Sequence, residues 1–394
     1  MRNMVALAEP HLAAWFDETK ARPMLDALRK QLPERLPTKP PIWQRPDVSS
    51  SPVIVHATAS PPKGSKLPGE FEPLDAVLLN WPWHYPSRWE SHVKFARAIT
   101  DAGARVLFMS DERQDAQELY RILANAGLSP DMIDILEAPI DDVWIRDYGP
   151  TFVQKPDGKA VLVANPYAPA EHPYRKGDNC AALAIGSALE LPVYRLPLLI
   201  EGGNLVSDGR GLMITSTATL DRNPELSRAD VAAIFQHYFG SERTEFIEAL
   251  PAEVTGHADM TLRFVDEATV VVASAPSGHR WSRYFDDVAL QIAQIRQSSG
   301  EPFTIHRLPI AVSKSYPTAF WSYVNCLQVN GTTIVPTFGE PTDEVALEFF
   351  RSLEKGSVVG IDFSDFLVGS VHCQSKEIFR GGLGAAKHIG ESRT

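Results

Sequence analysis

Cysteine is scarce in this sequence: Cys180, Cys326 and Cys373 are the three among 394 residues. They are too few and too scattered for a disulfide framework, and one short of a four-thiolate zinc site. Positive charge is also in deficit, with a formal net charge of −11 and a pI near 5.5. That balance argues against nucleic acid or an anionic membrane as the main partner, because both need a positive face. Long hydrophobic runs are absent, so no membrane-spanning helix is expected. The opening MRNMVALAEPHLAAWFDETK has its apolar stretch broken by Glu9, Pro10 and His11. It lacks the uninterrupted core of an export signal and predicts a short helix in a protein of the reducing cytoplasm.

What is present is the material of a large globular core, 44% hydrophobic and 22% charged. Proline, serine and lysine crowd the stretch before residue 70 (LPTKPPIWQRPDVSSSP, then ASPPKGSKLPGE), which suits an extended wrap. The expected organisation is an N-terminal helix and proline-rich extension over 1–70, one catalytic body over 71–380 and a loose tail over 381–394. Within the body a pattern recurs: a β-rich run, then a helical stretch, then often another short strand. The runs are DAVLLNW from Asp75, AVLVANP from Ala160, GLMITST from Gly211, TVVVASA from Thr269 and TTIVPTF from Thr332. Helical spacing of apolar residues follows in WESHVKFARAI, CAALAIGSAL, ADVAAIFQHYF, DDVALQIAQI and EVALEFFRSL. Repetition at this period predicts an α/β propeller with a central site, in preference to an ordinary doubly wound sheet. The first interval is longer, as an added helix would make it.

Before each later run stands a polar segment that a core strand would not ordinarily hold: DDVWIRDYGPTFV, EGGNLVSDG, TGHADMTLRF, SYVNCL and GSVHCQS. Repeats that each bring one such segment to a common axis would gather Asp147, Glu201, His257, Asp259, Asn325 and Cys373. A guanidinium is planar and permanently charged, so its recognition takes carboxylates that accept paired N–H bonds. Asp147, Glu201 and Asp259 are candidates. The central carbon is a poor electrophile, which suits a thiolate nucleophile, Cys373. His257 can protonate departing ammonia and later activate water. His257 and Asp259, two apart on a presumed strand, would share one face. Duller readings exist: a structural cysteine, a hairpin at Gly202-Gly203 that leaves Glu201 exposed, an Asn325 amide bonded within the fold. Arg146 could simply pair with Asp141, Asp142 or Asp147. A metal is not expected, since adjacent strand residues such as His372 and Cys373 point to opposite faces.

At these residues the chain resembles the agmatine deiminases and the bacterial, Porphyromonas-type peptidylarginine deiminases of the guanidine-modifying superfamily. The motifs carrying the resemblance run from Trp81 to Cys373 and include GHADM, SYVNCLQVNGTTIVPTFGEP and VHC. The resemblance implies a five-bladed α/β propeller, the pentein fold, with no cofactor. It makes Cys373 the nucleophile and His257 the acid/base, with Asp147 and Asp259 binding the guanidinium and Glu201 assisting. Asn325 would lie near the pocket, and Trp144, Arg146 and Asp142 would complete the substrate-binding set. Agmatine is the first substrate implied, and peptidyl or modified arginine the alternative; an amidinotransferase or a binding propeller without catalysis stays open. The departures are Tyr148, the NPYAPAEHPYRKGDN loop and the FLVGSVHCQSKE approach to the cysteine. An arginine substrate would call for a pocket cation such as Arg175, Lys176 or Arg210. The expected partner is a small cationic guanidine or an arginine residue, with a homodimer allowed.

Overall fold

The computed structural model describes residues 42–43, 54–56, 59–111, 116–167, 177–251, 253, 255–316, 319–353, 356–367 and 369–383. Its strands form five sheets. Three of them share one plan: a short strand, an antiparallel central strand, a helix, and an outer strand parallel to the centre. They centre on Leu212–Ser216, Thr269–Ser274 and Thr332–Thr337, with outer strands Arg243–Ile247, Thr304–Pro309 and Ser357–Asp362. The fourth sheet repeats the plan around Ala160–Ala164 and adds Val55–His56 at its outer edge.

The fifth sheet joins the two ends of the described chain. Its central strand Leu74–Asn80 pairs antiparallel with Ser375–Phe379, so the last strand closes the ring on the first. On its other side lie Arg105–Asp111, Ile133–Ala138 and Ile42–Trp43. The long first interval therefore holds an extra helix, Ala116–Asn125, and also an extra strand, Ile133–Ala138. Neighbouring blades lock through the helices: Trp89–Asp101 packs on Ser357–Asp362, and Thr342–Ser352 on Thr304–Pro309. This is the five-bladed α/β propeller of the pentein fold.

The central strands are buried on both faces, which is why they read as continuous apolar runs. Val77, Leu78 and Leu79 are fully enclosed, and each such side chain contributes about 1.5–3 kcal/mol by leaving water. Each helix buries one stripe: Phe285, Val288 and Ile292 in Ser282–Gln294, Ala346 and Phe350 in Thr342–Ser352. Arg228–Phe239 starts at a capping box in which Ser227 and Asp230 satisfy each other's backbone N–H.

The end of the proline-rich stretch packs against the body already before residue 71. Lys66 bridges to Gln154, the Leu67 amide donates to the Phe239 carbonyl, and Leu67 and Glu70 are buried. The expected N-terminal helix and the tail beyond 383 lie outside the described residues. Among the described residues no helix is long and apolar enough to cross a membrane.

Candidate active site

The five polar segments occupy equivalent places, each forming a tight turn that leads into the short inner strand of a sheet. Asp147 lies in Ile145–Tyr148 before Thr151–Gln154; Glu201 immediately precedes the Gly202–Asn204 turn before Val206–Ser207. His257 caps the Ala258–Met260 turn, which contains Asp259, before Leu262–Phe264. Asn325 precedes Leu327–Val329, and Cys373 precedes Ser375–Phe379. His257 and Asp259 are thus on a turn, not on a strand. They nonetheless share a face: a Cβ added to Gly203 would lie 2.4 Å from His257 Nδ1 and 3.1 Å from Asp259 Oδ1. Glycine at 203 is what lets the backbone come this close.

The pieces meet as follows. His257 Nε2 lies 2.6 Å from Glu201 Oε2, and His257 Nδ1 lies 3.6 Å from Asp147 Oδ1. Arg222 Nη1 is 2.6 Å from the same Glu201 oxygen. Burial alone would disfavour the imidazolium, but Asp147, Glu201 and Asp259 outweigh it and raise His257 to about 10. The histidine is therefore an acid at neutral pH. Burial pushes the Glu201 carboxyl up, yet His257 and Arg222 hold it below the usual carboxylate range. Glu201 is buried, not exposed, and its contacts are to His257 and Arg222.

Asp259 Oδ2 is held 2.7 Å from His372 Nδ1, while its Oδ1 is buried with no hydrogen-bond partner among the described residues. The Cys373 thiol lies 4.0 Å from Met260 Sδ. Burial raises its pKa well above the ordinary thiol value, and the negative charges of Asp259 and Asp147 raise it further. Of the nearby charges, the two carboxylates bear most strongly on the thiol.

Asn325 serves the nucleophile's turn. Its Oδ1 accepts from Ser370 Oγ at 2.8 Å and from the Cys373 amide at 3.4 Å, and its carbonyl accepts from the His372 amide. Trp144 is half-buried beside the cysteine: Gly369, at φ +69°, leaves room for its ring, and a Cβ there would lie 2.7 Å from Trp144 and 3.3 Å from Cys373 Cβ. Phe366 meets Trp144 edge-on.

Two members of the expected substrate-binding set face elsewhere. Arg146 forms a two-pronged pair with Glu377, at 2.8 and 2.7 Å, and reaches Glu70 at 3.1 Å. Its guanidinium is satisfied by these carboxylates, not by the aspartates of its own segment. Asp142 turns inward on its own loop, its side chain accepting from the Val143 amide and its carbonyl from Tyr148 Oη. Tyr148 is accordingly a support for that loop, also bonded to Asn80. Arg210 pairs with Glu72 and Glu267 at the surface; Arg175 and Lys176 lie outside the described residues.

Sequence reasoning missed Glu70, Arg263, Glu377 and the role of His372. His372 Nε2 is 2.9 Å from Glu70 Oε1, and Glu70 Oε2 is 3.2 Å from Arg263 Nη1. Alternating charge in the final strand, Lys376-Glu377 after HCQS, was the available signal: buried charges in an inner strand must find partners.

A buried thiol, an imidazolium and converging carboxylates at the axis of a pentein propeller define a guanidine-modifying hydrolase. The chain belongs to the Porphyromonas-type peptidyl-arginine deiminase family, which it matches over residues 66–378. It is 25% identical over 358 residues to "Putative agmatine deiminase" of Marinomonas sp. (strain MWYL1), covering 80% of this chain and 94% of that one. It is 26% identical over 370 residues to "Putative agmatine deiminase 1" of Listeria monocytogenes serotype 4b (strain F2365), covering 82% and 99%. The agmatine deiminase of Enterococcus faecalis superposes with a TM-score of 0.72 at 22% identity, covering 82% and 98%, which shows the shared fold.

Proposed function

We propose that this protein is an agmatine deiminase, converting agmatine and water to N-carbamoylputrescine and ammonia. The observation that carries the chemistry is the buried Cys373 thiol set among Asp147, Asp259 and the His257 imidazolium. Such a site is short of one positive charge, and a guanidinium supplies it. Asp147 and the open Oδ1 of Asp259 accept its N–H groups, and its arrival favours release to solvent of the thiol proton that the two carboxylates had resisted. The thiolate adds to the central carbon. His257 gives its proton to one nitrogen, which leaves as ammonia, and a thiouronium remains on Cys373. Neutral His257 then takes a proton from water, hydroxide adds to the same carbon, and collapse expels the thiolate, which recovers the hydroxyl proton as the thiol and leaves the ureido product. Glu201 keeps the imidazole oriented throughout.

Agmatine is favoured among guanidines by the names of the curated relatives. It also fits the acidity of the site, because agmatine keeps the amino cation of arginine but lacks its carboxylate. Ammonia and ureido-product release from agmatine, free arginine and an arginine-terminated peptide tests the assignment, with Cys373→Ala as control. Turnover of agmatine, abolished in the variant, is expected; turnover of the peptide alone would move the assignment to protein arginine.

A further inference from the structure

We propose that His372 and Glu70 are positioning residues that aim Asp259 at the guanidinium, a proposal that rests on Asp259 binding that group. His372 immediately precedes the nucleophile in sequence, and both of its ring nitrogens meet carboxylates. Its amide is fixed to the Asn325 carbonyl at 3.2 Å, and its side chain is 1% exposed. Nδ1 meets Asp259 Oδ2 at 2.7 Å and Nε2 meets Glu70 Oε1 at 2.9 Å.

This contact answers a specific problem. The last torsion of an aspartate is soft, so a carboxylate held at neither oxygen would swing within its pocket. The bond from His372 is the hydrogen bond that the Asp259 side chain makes among the described residues, and it engages Oδ2 only. Oδ1 is left buried and open beside Gly203, on the face that His257 also presents. One imidazole therefore fixes both the distance from carboxylate to nucleophile and the direction in which the free oxygen points.

His372 is itself braced from behind. Glu70 comes from the stretch before the first blade, and Arg146 and Arg263 grip it at 3.1 and 3.2 Å. Arg146 is in turn clamped by Glu377, and Arg263 Nη1 donates to the Cys326 carbonyl at 2.6 Å. A segment outside the repeating plan thus supplies the far end of a line that runs Glu70, His372, Asp259, pocket. Glu70 and His372 do not reach the reacting atoms; they act through Asp259.

The test compares alkylation of Cys373 by 2-chloroacetamidine, a cationic amidine that needs the carboxylates, with alkylation by neutral iodoacetamide. It is read by intact mass in wild type, His372→Ala, His372→Asn and Glu70→Gln. Asparagine keeps a donor near the Nδ1 position, whereas alanine does not. The expected result is that His372→Ala loses the preference for the amidine by about a hundredfold, the scale of a misplaced reacting group. His372→Asn should retain most of the preference, and Glu70→Gln should show a smaller loss, with KM for agmatine rising more than kcat falls. An unchanged preference in both His372→Ala and Glu70→Gln overturns the proposal, as does an equal loss of both labels or no difference between asparagine and alanine. Should His372→Ala fail to fold, the nearly isosteric Glu70→Gln decides. Wild-type turnover separates the two claims: an amidine preference that needs His372, without ammonia release from any guanidine, would overturn the deiminase assignment and leave this one standing.

Discussion

His257 Nε2 stands 2.6 Å from Glu201 Oε2, so the group proposed to protonate the departing nitrogen is held in its charged form by a carboxylate on the neighbouring blade. Its pKa lies above the ordinary 6.5, at about 10. The sign follows: the paired, charged imidazole is fully present below 6.5, and both its stabilisation and its acid function are lost as pH rises through about 10. Glu201→Gln removes one of the charges that raise it. The alkaline limb of kcat/KM should therefore move to lower pH, with activity at pH 7 reduced by up to about a hundredfold to ten-thousandfold, the usual worth of acid–base catalysis. A limb that stays in place would show that Glu201 does not set the histidine's charge.

Cys373 has the opposite bias. Burial and the charges of Asp259 and Asp147 keep its proton on, above the ordinary thiol value. Alkylation of the free protein by iodoacetamide should climb with pH beyond 9, with no plateau near neutrality, while agmatine turnover persists at pH 7. A plateau below pH 8 would mean that the thiolate exists before substrate binds and would remove the need for the substrate's charge.

These two groups also mark how far the sequence could be read. The central strands were legible because a strand buried on both faces must be apolar throughout, as in VLL at 77–79. Recurrence of those runs gave the blades, and the polar segments before them gave Asp147, Glu201, His257, Asp259, Asn325 and Cys373. Partners across blades were not legible. Glu70 sits in a proline-rich stretch, and nothing local says that it crosses to His372, 302 residues away. Arg146 has aspartates on both sides in sequence, yet pairs with Glu377, 231 residues away, because helix and strand direction decide which charges meet. The inner strands were missed for a related reason: Val206–Ser207 and Leu262–Phe264 are too short to show a period.

Gly203 should be intolerant of the smallest addition. A methyl group there would stand 2.4 Å from His257 Nδ1, well inside contact distance, and the ring has Glu201 behind it. Gly203→Ala should displace the imidazole and lower kcat by about a hundredfold, as a misplacement on the order of 1 Å does. Steady-state kinetics beside circular dichroism checks this. Wild-type kcat in a folded Gly203→Ala protein would show that the histidine has slack which the geometry does not suggest.

Arg146 tests whether the network beneath the site holds the ring closed. Its guanidinium comes from the segment before the second blade and grips Glu377 in the strand that pairs with the first, while its amide donates to the Cys373 carbonyl at 3.2 Å. Arg146→Ala leaves Glu70 and Glu377 buried without this cation. Breaking a buried pair from one side costs about 3–5 kcal/mol, because the stranded charge stays desolvated. Urea unfolding should show that loss, and Glu377→Gln a loss of similar kind. The double variant Arg146→Ala, Glu377→Gln should cost less than the sum of the two, since each charge is expensive mainly in the absence of the other. Strict additivity would mean that the pair is not coupled, and that ring closure depends on the apolar strand pairing alone.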